Sequence, residues 1–293
     1  MRAFRNYLTS QHFTEIITSK LVASGTEGGT NLFELKYFER IAYLAQSPQF
    51  YKEHGVAGFE RVFETGHVYR AEPHASSRHL TEYYSLDVEF GFIDGPEDVI
   101  QLERELLTAV FHSVTEECGD ILKGYRDEPL PSMLGVPCWE FSTCLELLQE
   151  KFGRTDLTDD LDPEGERQLC QLAQAQTGVP AVFVLGFPLA ARPFYTAPRG
   201  TAGAACSFDL LFYGVEITTG GQRLHRREDL EAALRGRAID PTGFESHLRM
   251  FELGMPPHGG FAIGLERLTS QVLKLPNVRQ AMLYPRDRYK LTP

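Results

Sequence analysis

The chain has 293 residues, 42% of them hydrophobic and 24% charged, the balance of a water-soluble globular protein with one large domain or two small ones. Its formal net charge of −11 argues against a surface that grips nucleic-acid phosphates throughout, because such binding needs clustered Lys and Arg; a local basic funnel remains compatible. No stretch approaches the roughly 18 apolar residues of a membrane helix, and the polar start MRAFRNYLTSQHF does not read as a signal peptide. A cytoplasmic location is the expectation. The five cysteines form no CxxC pair, so buried free thiols are expected rather than zinc or disulfides.

In chain order, Arg2, Phe4, Tyr7 and Leu8 fall at helical spacing, and FTEIIT alternates as a strand does. A Gly-rich turn occupies 24–31. FELKYF and IAYLAQ, parted by Glu39–Arg40, give a hairpin signal. SPQFYKEHGVAGF predicts a short helix with Ser47 as cap and Pro48 at the first helical position. VFETGHVYRAE and YYSLDVEFGFID predict two strands joined by the polar loop PHASSRHLTE. Residues 96–118 have strong helical periodicity. From about 120 to 180 the pattern loosens into short helices with acidic linkers, expected as a peripheral insertion. Strand character returns in AVFVLGFP and SFDLLFYGVEITTGGQRLH, followed by a helix over 227–236. A Gly-rich strand then turns into the helix of GGFAIGLERLTSQVLKL. The sum is α+β, an antiparallel sheet flanked by helices. No GxGxxG or GxxxxGK[ST] occurs, so a nucleotide would have to be held by side chains.

Two segments carry chemistry. Arg70 and Glu72 are placed on one face of their strand, and Asp87 and Glu89 repeat that spacing on the next; Arg78, His79 and an aromatic at Tyr83 complete a set able to hold a triphosphate and stack on a base. Such charges on a buried face are costly unless paired or bound to ligand. In the second segment, Gly259 to Gly264 would let a ligand approach the backbone, and Arg267 stands where strand passes into helix.

These segments resemble motif 2 (fRxE…RHxxEF) and motif 3 (GxGxGLER) of the class II aminoacyl-tRNA synthetases. FTEIITSKL is similar to motif 1. TEGGTNLF and LAQSPQFYK look like the amino-acid-binding segments of aspartyl-tRNA synthetases. RPFYTAP, FELGMPPHGGFAIGLERL and YPRDRYKLTP continue the likeness to the archaeal and eukaryotic type, over almost the whole chain. The resemblance implies a class II antiparallel sheet flanked by helices with a small helical insertion. It also implies ATP-dependent activation of L-aspartate and transfer to tRNA by a homodimer.

Residue roles follow only from that resemblance. Arg70 and Arg267 would be the catalytic arginines, with ATP held by Arg70, Glu72, Arg78, His79, Tyr83, Glu216 and Arg267. Asp209 and Glu216 would coordinate Mg²⁺. Aspartate would be held by Glu27, Gln49, Lys52, Asp87, Thr219 and Arg223, with Lys52 and Arg223 reading its carboxylate. Lys52 separates the aspartyl from the asparaginyl type, since a neutral amide would leave a buried ammonium unpaired.

Three departures stand out. Ser19 replaces the motif 1 Pro, Ala262 replaces a motif 3 Gly, and Tyr83 replaces the usual Phe. The N-terminal OB-fold domain that reads the anticodon, about 100 residues, does not precede motif 1. That leaves as an alternative a stand-alone paralogue handing the aspartyl group to ammonia, a small molecule or a protein. A regulatory binding protein without the chemistry is the non-enzyme alternative, and joint retention of Arg70, Asp209, Glu216, Arg223 and Arg267 speaks against it.

Overall fold

The computed structural model describes residues 1–25, 32–73, 75–200 and 203–293. In chain order the elements are α1 (Arg2–Ser10), β1 (Thr14–Glu15), β2 (Leu21–Val22), β3 (Glu34–Tyr37), β4 (Arg40–Leu44), α2 (Gln49–Phe59), β5 (Arg61–Tyr69), β6 (Glu82–Gly91) and α3 (Pro96–Leu122). Then come β7 (Cys138–Glu140), α4 (Phe141–Phe152), α5 (Pro163–Thr177), β8 (Ala181–Leu185), β9 (Pro198–Arg199), β10 (Ala204–Ala205), β11 (Ser207–Phe212) and β12 (Val215–Gln222). The chain closes with α6 (Arg227–Gly236), α7 (Glu245–Glu252), β13 (His258–Gly264) and α8 (Leu265–Val272). The chain divides into two compact units, one of Met1–Phe92, His225–His258 and Ala262–Pro293, the other of Ile93–Leu224 with Gly259–Phe261.

In the first unit, β5 and β6 pair antiparallel from Arg61↔Phe90 to Tyr69↔Glu82, and β1 lies parallel to β5. Alternation explains the ladder: Val62, Val68, Leu86 and Val88 are buried, each worth about 1.5–3 kcal/mol in apolar transfer. α1 follows from Phe4 and Leu8 on one face, and Phe4 meets Phe63 edge to face at 5.9 Å. The expected hairpin is β3–β4, paired from Glu34↔Tyr43 to Tyr37↔Arg40, with Phe38 turning the chain at φ 53°.

α2 starts one residue later than the sequence signal. Pro48, not Ser47, is the N-cap, and no side chain caps the helix; the Pro48 carbonyl accepts the Lys52 N–H at 2.9 Å. A proline has no N–H needing a cap, so the helix begins on its carbonyl alone.

In the second unit, β11 pairs antiparallel with both β8 and β12, and β7 runs parallel to β8. Two glycines are forced by close backbone approach. Gly221, at φ 155°, would carry a Cβ 2.4 Å from the Cys206 carbonyl, and a Cβ on Gly259 would lie 2.7 Å from the Gly221 carbonyl. α3 runs four residues past the predicted end and is distorted at Cys118, with Pro96 in its first turn and Glu97 and Asp98 beside the positive helix end.

Residues 120–180, expected as a peripheral helical insertion, contain β7, α4 and α5. Phe141, Cys144, Leu148, Leu169, Cys170 and Ala173 from this segment share one apolar cluster with Val182, Val184, Phe187 and Leu211. Asp162 caps α5 by accepting the Gly165 N–H at 2.8 Å. The thiol expectation holds for Cys144, Cys170 and Cys206, which are buried and free, but Cys138 is exposed at the β7 edge. Among the described residues no helix is long and apolar enough to cross a membrane.

Candidate active site

The first unit gathers the motif 2 residues and Arg267 of motif 3. Arg70 and Glu72 lie just past the end of β5 rather than within it, both half-buried; the Arg70 N–H still donates to Thr81 O at 2.9 Å and adds one rung to the hairpin. The strand ends there because the polar loop 73–81 leaves the ladder. Within that loop Ser76 Oγ lies 2.6 Å from His79 Nδ1 and accepts the Arg78 N–H at 3.2 Å. Arg267 Nε donates to the Arg78 carbonyl at 3.3 Å, so the motif 3 arginine and the motif 2 loop are joined. Tyr83 sits on β6 opposite Val68.

Two further features brace this set. Glu266, buried at the start of α8, accepts the Tyr84 N–H with both oxygens at 3.2 and 3.1 Å, and burial raises its pKa. The closing segment straps the loop: Arg288 Nη1 donates to Pro73 O at 2.7 Å, Arg279 Nη1 to Ser76 O at 3.1 Å, and Thr81 N–H to Arg286 O at 2.9 Å.

The same unit holds the predicted amino-acid readers of α2 and β6. Lys52 is 1% exposed, and its ammonium lies 3.1 Å from Asp87 and 3.2 Å from Glu89, themselves 1% and 0% exposed. Asp87 also accepts the Ser85 hydroxyl at 2.5 Å. Asp87 and Glu89 share a strand face, as their spacing required, and α2 brings Lys52 onto it. A buried cation between two buried carboxylates leaves one excess negative charge locally, which is stable only with further donors or cations nearby. Gln49, one turn earlier on α2, donates its amide Nε2 to Glu53 at 2.7 Å. Glu27 lies outside the described residues.

Glu53 and its histidines were missed by sequence reasoning. Burial alone would raise Glu53, yet the His258 contact, the charge of His247 and the Gln49 amide hold it down at about 2. Burial pushes His247 down to about 4, whereas Glu53 and Glu89 outweigh burial at His258 and raise it. No local pattern could have joined Glu53 to His258, 205 residues away.

The second unit holds the remaining residues. Asp209 on β11 receives a two-pronged contact from Arg192 at 3.0 and 2.8 Å, and that guanidinium also stacks 3.7 Å above the Phe187 ring. Burial raises Asp209 to about 6; Arg192 opposes this and Glu216 adds to it. Asp209 faces Thr219 across the ladder, while Glu216 faces Leu211 beyond an irregularity at Leu210/Leu211. The irregularity brings Thr219 Oγ1 to 3.0 Å from Glu216 Oε1, to which it donates. Arg223, 6% exposed at the end of β12, donates to Gly260 O at 3.0 Å and lies 5.5 Å over Tyr195. Among the described residues no three His, Cys, Asp or Glu side chains are gathered for a metal.

A sheet of mainly antiparallel strands flanked by helices is the architecture of a class II catalytic core. The chain matches the family "tRNA synthetases class II (D, K and N)" over residues 1–288, and it belongs to that family. It is 48% identical to the aspartate–tRNA(Asp/Asn) ligase of Thermus thermophilus over all of its own length and 69% of that protein, and 47% identical to the Deinococcus radiodurans ligase of the same name over 99% of its length and 68% of that protein. Among solved structures it resembles asparaginyl-tRNA synthetase from Pyrococcus horikoshii complexed with asparaginyl-adenylate, with a TM-score of 0.93 at 31% identity, covering all of this chain and 67% of that one.

Proposed function

We propose that this protein is an ATP-dependent ligase that activates L-aspartate as aspartyl-adenylate and transfers the aspartyl group to the 3′ end of tRNA. The observation that carries the reading is Lys52, a fully buried ammonium kept in place by Asp87 and Glu89 on the strand that follows the motif 2 loop. Arg223 is buried as well. Lys52 has three N–H donors, of which Asp87 and Glu89 face two, and each cation can give a carboxylate a charge-assisted hydrogen bond stronger than any it can give an uncharged amide. The fold is common to aspartyl and asparaginyl enzymes, so these side chains rather than the architecture carry the preference.

In the reaction the aspartate α-carboxylate attacks the α-phosphate of ATP in line, and pyrophosphate leaves. Arg70 offsets charge developing at the α-phosphate. Arg78, His79 and Arg267 hold the outer phosphates, Glu72 lies near the nucleotide and the acceptor end, and Tyr83 stacks on the adenine. Gln49 takes the α-ammonium, with Glu27 sharing that end, while Thr219 and Arg223 complete the aspartate contacts. Asp209 and Glu216 are the carboxylates that would hold Mg²⁺, with Thr219 beside them. Each Asp209 oxygen accepts one N–H from Arg192 and keeps lone pairs for a cation, so this hard-oxygen set fits the ion. When bound, the ion supplies neutralisation of phosphate charge. A homodimer and a tRNA acceptor end are the macromolecular partners this reading implies.

Incubation with ATP and aspartate, with either total tRNA or ammonium, followed by mass spectrometry tests the acceptor. Aspartyl-tRNA is the expected product. Free asparagine, with uncharged tRNA, would refute transfer to tRNA.

A further inference from the structure

Glu53 is fully buried on α2, one turn from Gln49 and next to Lys52, and the reaction as described gives it no part. Its Oε1 accepts the Gln49 amide Nε2 at 2.7 Å. Its Oε2 faces two imidazoles, His258 Nε2 at 3.5 Å and His247 Nε2 at 3.8 Å. His258 is oriented from its other side, where Nδ1 lies 2.9 Å from the Pro256 carbonyl; a carbonyl only accepts, so Nδ1 carries hydrogen. His247 is held between the Phe50 ring, stacked at 4.2 Å, and His54, whose Nε2 lies 3.0 Å from His247 Nδ1. The Gln49 amide, His258 and His247 are each a donor to Glu53 or can become one.

A primary amide has one donating end and one accepting end, and rotating it by half a turn exchanges them at little steric cost. An ionised carboxylate removes that freedom, because it has no hydrogen to give and rejects an oxygen facing it. We propose that Glu53 is a positioning residue which fixes the polarity of the Gln49 amide, turning its acceptor oxygen away from the buried carboxylate and towards the α-ammonium of the substrate. The proposal rests on the reading of Gln49 as the holder of that ammonium. A glutamine at position 53 would occupy nearly the same volume and could donate or accept, so both Gln49 orientations would become available. A charged residue is therefore retained in a position where a neutral one would pack equally well.

The test is aspartate-dependent ATP–pyrophosphate exchange with wild type, Glu53→Gln, Gln49→Ala and the double variant. Glu53→Gln is expected to raise KM for aspartate tenfold or more while KM for ATP stays within twofold. The double variant should be no worse than Gln49→Ala alone, because Glu53 acts through Gln49. A purely structural role predicts additive losses and equal effects on both substrates, and either result would overturn the proposal, as would an unchanged KM for aspartate. An inactive wild-type protein would instead count against the aspartate-activation reading. Hydrogen exchange of the Gln49 side-chain amide, followed by NMR in the wild-type protein, requires neither activity nor a folded variant. Slow exchange supports the fixed amide, and exchange as fast as that of exposed glutamines overturns it.

Discussion

Replacing Lys52 by Met removes an ammonium while keeping most of the buried stem. It leaves Asp87 and Glu89, 1% and 0% exposed, without the cation that lies 3.1 and 3.2 Å from them. Breaking a buried ion pair from one side costs about 3–5 kcal/mol, since the surviving charge is left in a poor dielectric environment. Here two like charges survive on one strand face, so the upper part of that range is expected. At roughly 2–4 °C per kcal/mol for a chain near this size, the melting temperature should fall by on the order of 10 °C. Urea unfolding at pH 7 is the informative assay. A gap below about 1 kcal/mol between variant and wild type would refute the assignment of Lys52 as the counter-charge of this pair.

Arg223→Ala should lower aspartate activation by at least about 30-fold, the lower end of truncating one partner of a buried charge contact, while calorimetric ATP binding stays within about threefold; equal loss of both would sink its assignment to aspartate. Glu103, buried on α3, is raised by burial to about 8. Its folded pKa lies above the unfolded value of about 4.3, so its proton stabilises the fold at low pH and that contribution is lost as pH rises towards 8. Glu103→Gln should therefore be a few kcal/mol more stable than wild type near pH 8 and close to it near pH 4, by denaturant titration. Gly259→Ala would place a methyl 2.7 Å from the Gly221 carbonyl, and a loss of roughly 1–3 kcal/mol in the same assay is expected.

Much of this architecture was legible because it is written in local period and in fixed motifs. The β5–β6 pair, the strand character of β11 and β12 and the helix over 227–236 each follow from composition or spacing within one stretch of chain. The family resemblance also points to Lys52 and Asp87, which meet at 3.1 Å. What the sequence hid depends on distance or on a single backbone irregularity. Arg192 meets Asp209 across 17 residues through the turn after β8, and nothing in RPFYTAP marks that arginine as the partner. Counting back from the turn puts Thr218 opposite Asp209, whereas the shift at Leu210/Leu211 puts Thr219 there, which residue counting along a regular hairpin misses. The Glu53–His247–His258 group joins α2, α7 and β13, so each member reads as an ordinary helix or strand residue by itself. Ser47 failed as a cap because the following proline changed which residue the helix starts on.

The central claim is activation of aspartate by this core, and ATP–pyrophosphate exchange without tRNA tests it most directly. With Lys52 and Arg223 both buried and charged, exchange should depend on aspartate, with kcat/KM at least about 100-fold lower for asparagine. Exchange that runs equally well with asparagine, or none at all from protein that still binds ATP, would contradict it.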